Sequence, residues 1–184
     1  MQLNPYEKKN LIFIDTEFTD LEPVNGEILS IGMVKLNGEE LYLEIAHTGP
    51  MTDWVAKHIA PNLKDLKLTV TQAVDKIHEF LGESQPFAVA FVDNYDVIYL
   101  TKMFGAGKLP FNWMTVDFTS ILFANGIDPK KVLRDSKDSK SFYRTLGLDL
   151  KKYRKHHALD DARLLRDVWL KITSDTIQEE MTNE

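Results

Sequence analysis

The sequence predicts an α/β fold, a mixed sheet of five or six strands flanked by helices, and three features point there. Two strand-like runs near the N-terminus are joined by Asn37-Gly38, a strong hairpin signal. From Phe87 onward, short apolar runs alternate with helical ones, the pattern by which a chain builds parallel strands. A long amphipathic segment starting near Ala158 closes the chain. With 184 residues, 43% of them apolar and 27% charged, one globular domain is expected over 1–178, with a frayed tail at 179–184.

The first strand is the apolar run Leu11 to Phe18, and Glu27–Leu36 and Glu39–Ala46 flank the Asn-Gly turn. Ala73, Val74, Ile77, Phe80 and Leu81 recur at helical spacing between Thr69 and Leu81. Thr69 and Gln72 stand in capping-box positions, and Gly82 stops the helix. A strand Phe87–Phe91, a helix Asp96–Phe104, a strand Trp113–Asp117 and a helix Thr119–Asn125 follow. The polar, charge-rich stretch Asp128–Lys140 reads as a mobile loop near a substrate, with Ser141–Gly147 as a short helix after it.

No cysteine is present, which excludes disulfides, thiolate metal sites and a cysteine nucleophile. Any metal must be held by oxygen or imidazole. Met1 to Asn10 is polar without the apolar core of a signal peptide, and no apolar run approaches the roughly 18 residues of a membrane span. A cytoplasmic protein with no membrane association is expected. The net charge of −6 is unevenly distributed: residues 130–155 hold ten Lys or Arg against three Asp, a local +7. Such a segment suits phosphate, while the acidic remainder can hold metal.

Asp15 and Glu17 end the first strand two residues apart, so their side chains share a face. Two carboxylates losing water side by side repel, and a hard divalent cation between them relieves both costs. In the last helix the apolar stripe runs through Ala158, Ala162, Leu165, Val168, Trp169 and Ile172. At about 100° per residue Asp161 falls inside that stripe, whereas Asp160 falls on the face of Arg163, Asp167 and Lys171, where water solvates it. A carboxylate on a buried face needs a partner or a metal. His156, just ahead of the helix, is placed to direct an imidazole toward Asp161, and His157 is expected to face solvent. Asp93 and Asp96 both lie at the start of a helix, and residue physics does not choose between them.

Together Asp15-Thr16-Glu17, Tyr95-Asp96 and His156-x-Ala158-x-x-Asp161-Ala162 resemble the signature of the DEDDh 3′–5′ exonucleases of the ribonuclease H-like superfamily. The order and spacing match over nearly the whole chain. The resemblance selects Asp96 over Asp93, and it implies a ribonuclease H-like fold with Asp15, Glu17, Asp96, His156 and Asp161 as catalytic residues. The four acids would hold two Mg²⁺ ions, for which Mn²⁺ should substitute, and His156 would act as general base toward the attacking water. The product would be a nucleoside 5′-monophosphate released from the 3′ end of a single strand.

Many family members carry His-Asn ahead of the aromatic-Asp pair, where this chain has Phe91-Val92-Asp93-Asn94-Tyr95-Asp96. Its short length and the run Phe13-Ile14-Asp15-Thr16-Glu17-Phe18 are more similar to the small exoribonucleases of the ribonuclease AS type. That likeness favours RNA over DNA and makes a homodimer an expectation. Phe18 and Thr16 are the candidate substrate contacts on the first strand, with the loop Thr19–Gly26 and the stretch Lys137–Tyr153 beyond them. Three other readings compete. A DNA exonuclease would use the same residues. A haloacid dehalogenase-type phosphatase also begins with a strand ending in Asp, but it wants Asp-x-Asp where Glu17 stands and gives His156 no task. A non-catalytic nucleic-acid-binding module would have no need of all five motif residues.

Overall fold

The computed structural model describes residues 10–181, with side chains described as far as residue 173. The tail expected to fray, 179–184, lies outside the described side chains. A six-stranded sheet runs in the order β4-β3-β2-β1-β5-β6. β1 (Leu11–Phe18), β2 (Ile28–Lys35) and β3 (Glu40–Ile45) form the antiparallel meander that the hairpin signal predicts. β5 (Phe87–Ala90) and β6 (Val116–Asp117) add in parallel beside β1, and the short β4 (Lys67–Leu68) pairs in parallel with β3.

Alternation along β1 sorts its side chains into two layers. Ile12 and Ile14 join a core with Ile31, Met33 and Leu43, closed by α2 (Val70–Leu81) and α3 (Asp93–Phe104). Leu11 and Phe13 join Val34, Val89, Phe118, Leu122 and the apolar stripe of α7 (Ala158–Met181) on the other face. Asp15 and Glu17 continue this second row, so both point toward α7. Thr16, between them, points toward α3.

Local sequence accounts for much of this. Thr69 and Gln72 form both halves of the capping box, and Gly82 ends α2 with a φ of 62°. α4 (Phe118–Ala124) begins one residue before its expected start, capped by the Asp117 side chain on the Thr119 and Ser120 N–H groups. The stretch expected to be a mobile loop instead contains α5 (Pro129–Val132), with Asp128 as N-cap and Pro129 in the first turn, and leads into α6 (Ser139–Thr145). α3 starts three residues earlier than expected. Val92 adopts a left-handed φ of 59°, and that sharp turn reverses the chain from β5 directly into the helix. The sequence reading contained no α1 (Asp53–His58), a helix of under two turns that offers no periodicity to read.

Gly32 lies opposite Asp15 in the β1–β2 ladder. A methyl group there would sit 2.3 Å from the backbone of Ala158 and Leu159, so the missing side chain lets the N-terminus of α7 rest on the sheet beside Asp15. Gly32→Ala should push α7 off and destabilise by on the order of 1–3 kcal/mol, read by denaturant unfolding. Wild-type stability in that variant would mean the close approach is not needed.

Candidate active site

The end of the interior strand β1, the start of α3 and the start of α7 meet at one end of the sheet. One carboxylate oxygen from each of Asp15, Glu17 and Asp161 lies within 4.8 Å of the other two. Asp96 approaches from the α3 side, and its Oδ1 accepts from both the Thr16 backbone N–H at 2.8 Å and the Thr16 hydroxyl at 2.7 Å. Asp93 faces elsewhere, accepting a bond from Thr115. The geometry thus separates the two aspartates that residue physics left equivalent.

Electrostatics of the group are those of like charges held in a dry corner. Burial first, and then repulsion from Asp161, Glu17 and Asp96, pushes the Asp15 carboxyl well above the ordinary range. Burial, then repulsion from Asp161 and Asp96, pushes Glu17 up to about 8. Burial raises Asp96 to about 7 against the opposing effect of the Thr16 bonds. Asp161 is also raised by burial, although Arg134 and the His157 N–H hold it down. Such a set either keeps protons at neutral pH or takes up a cation. Its all-oxygen donors fit a hard divalent metal ion.

His156 is half-buried beside the cluster, in a left-handed conformation with φ 56°. Asn62 donates to its carbonyl at 2.8 Å, and its ring meets Trp54 edge to face at 5.0 Å between centroids. Burial first, then the positive charge of Lys155, keeps the imidazole below its ordinary pKa and so neutral at pH 7. Val92 and His156 are the positive-φ residues other than glycine among those described, and each turns the chain into a helix that carries an acid of the cluster.

Two expectations about the last helix are corrected. Asp160 is not solvated: it is 3% exposed, bonded at 2.6 Å to both Arg154 and Arg163. His157 is not solvent-facing either, being buried with its ring stacked on Tyr42 at 4.4 Å. The stripe argument assumes a helix buried on one side. Here the incoming segment 153–157 folds back over the first turn of α7 and covers a second side. Asp161 lies partly exposed at the rim of the cluster.

The candidate substrate contacts on β1 have different surroundings. Phe18 is half-buried and stacks on Tyr99 with centroids 4.4 Å apart. Thr16 is buried with its hydroxyl engaged by Asp96. Three residues at the site were not singled out from sequence. Trp54, on α1, is 49% exposed beside His156 and stacked on His58. Asn62 ties the turn after α1 to the His156 carbonyl. Arg134 donates to Asp161 at 2.8 Å. Of the three only Arg134 left a signal, as the one arginine in the basic stretch Asp128–Lys140. A cavity of about 260 Å³ opens beside the cluster between Asp15, Arg134, His156 and Asp161, floored by apolar residues including Phe91 and Leu165.

A family model described as exonuclease (RNase_T) matches residues 12–168. The zinc-bound form of Escherichia coli exonuclease I with single-stranded DNA is similar in structure, with a TM-score of 0.67 at 12% identity, over 90% of this chain and 40% of that one. The same E. coli exonuclease with a dT13 oligonucleotide gives 0.66 at 13% identity, over 94% of this chain and 42% of that one. The chain therefore spans about two fifths of the length of these structures. No curated protein is significantly similar in sequence. Among the described residues, no helix is long and apolar enough to cross a membrane. The family match takes in all three strand and helix ends that meet at the acidic cluster, and the chain belongs to the DEDDh exonuclease family, with its ribonuclease H-like fold.

Proposed function

We propose that this chain is a divalent-metal-dependent 3′–5′ exoribonuclease that removes nucleoside 5′-monophosphates from the ends of single-stranded RNA. The observation that carries the reading is the meeting of Asp15, Glu17 and Asp161 within 4.8 Å, beside Asp96 and the neutral His156.

Asp15, Glu17, Asp96 and Asp161 would hold the metal, with two Mg²⁺ ions proposed and Mn²⁺ as a substitute. When bound, the ions supply Lewis-acid activation of water and charge stabilisation at the departing 3′ oxygen. Thr16 holds Asp96 through two bonds to one oxygen, which leaves the other oxygen for a ligand. His156 takes the proton of the attacking water on its imidazole, whose neutral form is favoured by burial and by Lys155. The exposed face of Trp54 and the ring of Phe18 offer stacking surfaces for bases, and the basic stretch 130–155 offers charge to phosphates. A cytoplasmic location and a homodimer remain part of the proposal, resting on the sequence reading.

RNA is preferred because the run Phe13 to Phe18 resembles the small exoribonucleases. The DNA reading has its own support, since both similar E. coli structures are described as complexes with single-stranded DNA or a dT oligonucleotide. Matched 5′-labelled RNA and DNA oligomers, digested with Mg²⁺ and with EDTA, decide. A metal-dependent ladder shortening from the 3′ end, faster on RNA, is the expected result. A faster DNA ladder would transfer the assignment to an exodeoxyribonuclease. No shortening with Mg²⁺ or Mn²⁺ would sink the nuclease reading.

A further inference from the structure

Arg134 follows α5 and reaches into the site beside Asp161. Its guanidinium donates to Asp161 Oδ1 at 2.8 Å, to the Arg154 carbonyl at 3.0 Å and to the Tyr153 carbonyl at 2.6 Å. Its side chain is only 16% exposed. One planar group therefore fastens three things: the segment after α5, the strap 153–157 that carries His156, and the acid of α7. Arginine suits this because its fork holds several acceptors in fixed directions, which a lysine ammonium cannot do.

The charge matters as much as the bonds. Fully ionised, the four carboxylates carry four negative charges, and Arg134 returns one positive charge at Asp161. With two divalent ions and one phosphodiester in place, the assembly is then neutral. Without Arg134 it would carry an excess negative charge that strengthens the hold on metal.

We propose that Arg134 is a positioning residue of this site, an internal cation that fixes Asp161 and the His156 strap and moderates the affinity of the acidic cluster for divalent metal. The proposal rests on the metal-dependent reading above. It differs from a plain structural brace in one respect. Removing a mere brace would loosen Asp161 and weaken metal binding, whereas on removing this internal cation the lost positive charge outweighs the loosening and binding tightens.

The test is calorimetric titration of the protein with Mn²⁺ alone, without nucleic acid, alongside steady-state kinetics on a single-stranded oligomer. Arg134→Met should bind Mn²⁺ about tenfold more tightly than wild type. Its kcat should fall by about 10- to 100-fold, with KM within about threefold, because the strap is no longer held. Arg134→Lys keeps the charge without the fork, so it should bind Mn²⁺ like wild type yet retain the loss in kcat. Weaker or unchanged Mn²⁺ binding in Arg134→Met would overturn the counter-charge role. A rise in KM at constant kcat would overturn positioning in favour of direct contact with substrate phosphate. Should Arg134→Met fail to fold, Arg134→Gln, uncharged but still a hydrogen-bond donor, replaces it in the Mn²⁺ titration with the same expected tightening, and wild-type kcat in Arg134→Lys would refute the strap. If the wild-type protein hydrolyses no nucleic acid, the exonuclease reading falls, while the Mn²⁺ titrations still decide the counter-charge role.

Discussion

Asp15→Asn is expected to abolish hydrolysis, lowering kcat by more than about 10³-fold, while raising the melting temperature of the metal-free protein. Loss and gain share one cause. The Asp15 carboxyl is raised by its own burial and by three neighbouring carboxylates, so its charged form is a burden on the fold that a proton or a cation relieves. The isosteric amide removes the burden along with the proposed metal ligand. Asp161→Asn should be as inactive but gain no stability, because it weakens the partner of the largely buried Arg134.

The pH dependence follows from the same shifts. Glu17 at about 8 and Asp96 at about 7 bind protons in the folded state that the unfolded chain has already released above pH 4 to 5. The folded state thus holds more protons across that window, and the metal-free protein loses stability as pH rises from about 5 to 8. Divalent metal should reverse the trend, since it binds the ionised carboxylates. Thermal melts at pH 5 and pH 8, with and without Mn²⁺, check this. Asp15→Asn should show a shallower fall with pH. A wild-type protein whose metal-free stability rises over this range would contradict the repulsive cluster.

His156→Asn is the second large expected effect, a loss of about 10²- to 10⁴-fold in kcat with metal affinity near that of wild type. Asparagine is the right replacement because His156 has a φ of 56°, which asparagine tolerates better than alanine. The imidazole must be neutral to take a proton, and its burial beside Lys155 keeps it below the ordinary histidine value. At saturating metal the acid limb of the rate profile should therefore lie below about pH 6.5. At limiting metal it should move up toward the range of Asp96 and Glu17, because those groups must lose protons before metal binds. His156→Asn should erase the first limb and leave the second. If both limbs survive in the variant, His156 is not the base.

Legibility in the sequence followed the range of the interaction. The alternation of β1 gave the shared face of Asp15 and Glu17, and the capping box placed α2, because both depend on neighbours a few residues away. Asp128-Pro129 was a readable helix start that the charge around it obscured. Asp160 and His157 were misplaced because their burial comes from the strap 153–157 and from Tyr42 on β3, neither of which periodicity along α7 can report. The family resemblance selected Asp96, and the bonds from Thr16 supply a physical reason across eighty residues of chain.

By itself, the sequence determined the α/β layering, the pair of acids on the first strand and the excess of positive charge between residues 130 and 155. Those properties are local and periodic, so they are written in the order of the residues. Only the tertiary structure decided that Gly32 lets α7 approach Asp15, that Arg134 closes on Asp161, and that Trp54 and Asn62 stand against His156. These contacts join segments distant in the chain, and their energies depend on distances and burial that exist only after the sheet and helices have packed.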